Sequence, residues 1–160
     1  MGGRFPLMAR RAVINISFWL LLLGSAGNVV ADEGRRLVLV VAADSTLPSL
    51  DRTEIRKTFI GITVVKDKQR IEPLINVSDA LLYQVFLQKN VFMSARHYER
   101  LLLARVFRSG GQRPPRYSDH ESLVGTLKAR PGAITYMWAA TVETTPGIKV
   151  LQELWRGSIH

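Results

Sequence analysis

The chain contains no cysteine, which rules out disulfides, thiolate nucleophiles and sulfur-ligated metals. Histidine is scarce: His97, His120 and His160 are all there are, and none stands at zinc-ligand spacing from another donor. Aromatic residues make up only 8% and do not interleave with basic ones as a nucleic-acid surface requires, so no nucleic-acid partner is expected. The chain has no glycine-rich phosphate cradle. Ser118-Asp119-His120-Glu121 offers suggestive residue types, but adjacent helix positions point in different directions and make no triad. No catalytic residue, metal site, cofactor or enzyme activity is therefore expected.

Acidic residues are missing from the first 31 positions, where Arg4, Arg10 and Arg11 stand. Residues 12–24, AVINISFWLLLLG, form an apolar run shorter than the roughly 20 residues of a membrane-spanning helix. Val29 and Ala31 follow at the small-residue positions of a cut before Asp32. This layout predicts a secretory signal peptide over 1–31 and a mature domain over 32–160, periplasmic or secreted. The alternative is an uncleaved anchor. Cleavage would remove three arginines and no acid, lowering the net charge from +9 to +6. The mature protein stays basic and suited to anionic partners.

Residues 36–43 form a continuous apolar run, read as a central or parallel strand buried on both faces. Asp51 with Glu54 predicts a capping box opening a helix over 52–59, which stops at Gly61. Residues 62–65 and 70–77 flank a polar tetrapeptide, as in a hairpin. The second run leads into Ser78-Asp79 and a helix with Leu81, Leu82, Val85 and Phe86 at core spacing, ending near Asn90. Ser94 caps a helix from Ala95 to about Phe107, with Tyr98, Leu101, Leu102 and Val106 inward. Residues 112–117 are a rigid connector, and Ser118 with Glu121 predicts a second capping box for a helix to Ala129. Arg130-Pro131-Gly132 is a turn, with Gly132 at positive φ. Strands follow over 133–138 and 148–151, then a frayed tail from Arg156. Strands alternating with helices predict an α/β fold with a mixed sheet flanked by helices.

Arg96, Arg100, Arg105, Arg108, Arg113 and Arg116 cluster with only Glu99 against them. Two readings are open: a solvated helix face, or a docking surface for an anionic partner such as an envelope protein.

Several motifs resemble phosphate-type periplasmic substrate-binding proteins of ABC transporters, in their short, single-lobe forms. They are Glu54-Ile55-Arg56-Lys57-Thr58-Phe59-Ile60-Gly61, Ile71-Glu72-Pro73-Leu74, Phe107-Arg108-Ser109-Gly110 before Pro114-Pro115, and Pro131-Gly132-Ala133-Ile134-Thr135-Tyr136. The resemblance spans roughly residues 37–151. It implies a single-lobe α/β domain, a role in binding phosphate or another small anion, and an envelope transporter or sensor as partner. It leaves open whether two copies pair to rebuild a two-lobed cleft.

The family's anion site is a strand-to-helix junction reading Arg-Ser-Asp-Gly-Ser-Gly-Thr. Ser78-Asp79 matches its Ser-Asp, so the resemblance makes Ser78, Asp79, Thr135 and Tyr136 candidate anion-binding residues. Val77 stands where the arginine belongs, and Ala80-Leu81-Leu82-Tyr83 replaces the small and hydroxyl residues. Those changes remove the charge-assisted donor and hinder close approach of an oxyanion. The expectation is a degenerate site that mainly caps a helix. The alternative to phosphate-type binding is an accessory module docking through its basic face.

Overall fold

The computed structural model describes residues 35–110 and 112–158. The predicted signal segment lies outside them. The first strand, β1 (Arg35–Ala42), is apolar from Leu37 onward and buried on both faces. It is central, as its composition predicts. It is not parallel to its neighbours, however: it runs antiparallel to both β7 (Ala133–Trp138) and β8 (Ile148–Gly157). Continuous hydrophobicity reports burial on two faces, and an antiparallel strand covered by helices on both sides satisfies that equally well.

Alternate residues of β1 and β7 feed two separate cores. Leu37, Leu39, Val41, Ile134 and Tyr136 pack against α1 (Arg52–Phe59), α2 (Ala80–Phe86) and α3 (Ala95–Ser109). Val38, Val40, Ala133 and Met137 pack against α4 (His120–Ala129) and α5 (Ala139–Glu143). The result is helices on both faces of one mixed sheet, the arrangement predicted.

The edge beyond β7 is built from short pieces. β4 (Glu72–Pro73) lies parallel to β7, and β5 (Ile75–Asn76) lies parallel to β6 (Arg116–Tyr117). The segment from Glu72 to Val77 therefore pairs with β7 on one side and with the connector on the other, through Leu74 N–H to Ile134 O and Ile75 N–H to Pro115 O. The predicted hairpin is correspondingly small. Only β2 (Val65–Lys66) and β3 (Gln69–Arg70) pair, across Asp67 and Lys68 at positive φ. The second run is drawn away to join the main sheet.

Helix ends test the capping expectations. Asp51 and Glu54 form the reciprocal box, with both N–H···O contacts at 2.8 Å. Ser94 caps α3 as expected, and Gly110 ends it in the left-handed region. At α4 the cap is Asp119, whose carboxylate accepts from Ser122 N–H; Ser118 is not the cap and Glu121 does not complete a box. Among consecutive cap-competent residues, the carboxylate wins the position. A π turn over Leu87–Val91 extends α2, and Phe92 leaves it in a left-handed conformation. β8 runs on to Gly157 rather than fraying at Arg156, because Arg35 and Arg36 pair with its last residues.

Candidate functional site

The strand-to-helix junction is organised by a residue the sequence reading passed over, Asn76. It is buried, and its amide donates to Tyr136 O at 3.1 Å. Its carbonyl oxygen accepts from Ser78 N–H (3.0 Å) and from the Ser78 hydroxyl (2.6 Å). Its own backbone carbonyl accepts from the Tyr136 hydroxyl at 2.7 Å. The signal available in the sequence was an amide residue closing an otherwise apolar strand.

Asp79 is the N-cap of α2. Its Oδ1 accepts from Leu81 N–H (2.8 Å) and Leu82 N–H (3.1 Å), and its Oδ2 accepts from the Trp138 indole N–H (2.9 Å). Partial burial acts to raise its pKa, but the Trp138 and backbone donors, with the charge of Arg35, outweigh it and hold the carboxyl below its usual range. Arg35 also lies over the Trp138 ring at 5.6 Å.

Ser78, Asp79 and Tyr136 are thus brought together around Asn76 and Trp138. Thr135 is not: neighbouring strand residues point to opposite faces, and its hydroxyl donates to Leu74 O at 2.8 Å. Tyr136 stacks flat on Phe86 with centroids 3.7 Å apart, and burial pushes its hydroxyl pKa well up. Each of the four hydroxyl or carboxyl groups already holds a protein partner.

The six arginines divide. Arg113 and Arg116 both reach Glu99, Arg113 at 2.5 Å. Tyr83 donates to the same carboxylate at 3.2 Å, and Arg116 lies over its ring. Burial foremost raises the Tyr83 pKa to about 12. Arg105 is half-buried beside Gly61. Arg96, Arg100 and Arg108 are exposed on α3, without ion-pair partners among the described residues. Arg96 and Arg100 share a stripe with Leu103 and Phe107, which are 47% and 81% exposed. His97 is exposed, and His120 Nε2 lies 3.2 Å from the Thr145 hydroxyl. Among the described residues no helix is long and apolar enough to cross a membrane.

The chain matches no protein-family profile and no curated protein sequence. It does match solved structures. One is an ABC-type phosphate transport receptor from Vibrio cholerae, at TM-score 0.50 and 11% identity over 75% of this chain. Another is PstS from Borrelia burgdorferi, at TM-score 0.52 and 13% identity over 74%. A third is a possible phosphate binding protein from Planctomyces limnophilus, at TM-score 0.50 and 15% identity over 74%. The fold is that of PstS-like periplasmic binding protein domains. The match covers 46%, 47% and 42% of those three chains, so this chain spans less than half their length. Identities this low establish the fold alone.

Proposed function

We propose that the chain is an exported, non-catalytic, single-lobe relative of phosphate receptors whose strand-to-helix junction no longer captures phosphate. The observation that carries this reading is Asp79. Its carboxylate takes the Leu81 and Leu82 N–H groups and the Trp138 indole N–H, the donors an incoming oxyanion would use. A phosphate would have to displace a like charge from an N-terminus worth only about 0.3–1 kcal/mol to an anion at an exposed site. Micromolar capture requires roughly 8 kcal/mol. Calorimetry with inorganic phosphate tests the reading, with no saturable heat expected. A micromolar isotherm lost in Ser78→Ala would restore phosphate capture at the junction of Ser78, Asp79 and Tyr136. Export is tested by the mature N-terminus, expected by mass spectrometry at or near Asp32.

A second reading is favoured by the outward stripe of α3. Arg96, Arg100, Leu103 and Phe107 present two unpaired charges beside two exposed apolar side chains, the composition of a docking surface for an acidic envelope protein. Arg105, Arg108, Arg113 and Arg116 would border it. In vivo crosslinking from position 107 should capture an envelope protein, with Arg96→Glu plus Arg100→Glu abolishing the adduct. An adduct only with a second copy of the chain would replace the envelope partner by a homodimer.

A further inference from the structure

Between the last turn of α1, the start of β4 and the connector before β6 lies an open cavity of about 300 Å3. Arg70 and Glu72 stand where β4 begins, and Arg130 just precedes β7. Ser78 and Asp79 follow the far end of β5, and Trp138 ends β7. The cavity and the junction therefore occupy opposite ends of the same parallel strands. Ligands of open α/β sheets ordinarily sit beyond the carboxyl ends, so this cavity is not a displaced version of the junction.

Its lining is unbalanced in charge. Arg70, Arg113 and Arg130 meet a single carboxylate, Glu72. Arg130 lies 3.8 Å from Glu72, too far for a hydrogen bond. Arg113 directs one terminal nitrogen to Glu99 and keeps its other donors. Arg70 is exposed, and its guanidinium has no partner among the described residues. Thr58 also lines the cavity; it is buried and its hydroxyl has no hydrogen-bond partner among the described residues. Such an orphan calls for an explanation. The rest of the lining sets Thr63 and Gln112 beside an apolar part made by half-buried Ile62 and Pro73 and by exposed Pro115, which stiffens the connector.

We propose that this cavity binds a small organic anion. A carboxylate or phosphate-ester head would sit on Arg70 and Arg130, with an apolar body against Ile62, Pro73 and Pro115. Two adjacent oxygens, of a carboxylate or of one face of a phosphate ester, are what an idle guanidinium fork recognises. The volume is at the lower end of ligand pockets, about 300 Å3 and upward, and suits a compact apolar body better than an inorganic ion. The proposal rests on neither the junction nor the outward stripe of α3.

Phenyl phosphate titrated into the full chain, followed by amide NMR, tests it. The expected result is saturable binding with a Kd below about 1 mM and shifts at Gly61, Arg70 and Gln112 but not at Ser78 or Leu82. Arg70→Ala, which breaks no side-chain hydrogen bond or ion pair among the described residues, should weaken binding by about tenfold or more, and inorganic phosphate should bind at least about tenfold more weakly. Arg130→Ala supplies a second, independent loss. Absence of saturation, shifts confined to the junction, indifference to both substitutions, or equal affinity for inorganic phosphate would each overturn the proposal.

Discussion

Asp79 joins the end of a strand, the start of a helix and the indole of Trp138 through one carboxylate. Asp79→Ala should cost about 0.5–2 kcal/mol as a lost cap, read from the denaturant midpoint. Its depressed pKa also gives a pH signature. The contribution is complete above the ordinary value of 3.8 and is lost as pH falls through the lower folded value. The acid limb of the stability profile should therefore be shallower in Asp79→Ala than in the parent. Thr58 predicts the opposite sign. Its hydroxyl is buried without a partner among the described residues, and an unsatisfied group of this kind costs about 1–3 kcal/mol. Thr58→Val keeps the shape and removes the orphan, so the midpoint should rise. A fall would mean that the hydroxyl is satisfied in solution. That the junction caps a helix was legible in the sequence, because a cap depends on residues two and three positions away; whether Ser78 or Asp79 holds it was decided by the structure. Asn76 and Glu99 were not, since each acts through partners brought near only by the fold: Tyr136 lies 60 positions from Asn76, and Arg113 and Arg116 lie 14 and 17 from Glu99.

Elements carry their own tests. The turn into β7 places Gly132 at φ +85°, where a Cβ would stand 2.3 Å from Arg70 O. Backbone strain there is worth about 1–3 kcal/mol, and the clash adds to it. Gly132→Val should lower the melting temperature sharply or prevent folding, and an unchanged melt would reject the geometry. On α3, Phe107 is largely free of the core, so Phe107→Ser should change stability by no more than about 0.5 kcal/mol. Any loss of partner binding in that variant would then belong to the surface. Helix positions were well marked in the sequence because apolar spacing and caps are local signals. The cap of α4 was misplaced by one residue because Ser118 and Asp119 both offer oxygen acceptors. The extent of β8 was missed because its later residues include Gln152, Glu153 and Arg156, a polar run that does not announce a strand. Its pairing with residues 35–39 of β1 keeps it extended.

At the scale of the whole molecule, the fold was readable as alternating strands and helices, while strand direction was not. Hydrophobicity along residues 37–42 measures how many faces are covered and carries no information on which way the neighbours run. The candidate anion site was legible only by likeness to a motif, and its present state turns on Trp138, which no local pattern connects to Asp79. The central position of β1 also fixes when this protein can fold. β1 is the first described element to be synthesised, and both of its neighbours come from the last part of the chain. Leu50 and Gln152, which exchange two hydrogen bonds, are 102 positions apart. A nascent chain that has not yet reached β7 and β8 has no strand to pair with its most hydrophobic one. Closing such long loops delays folding, so the main sheet cannot be completed until residues 133–157 have been synthesised.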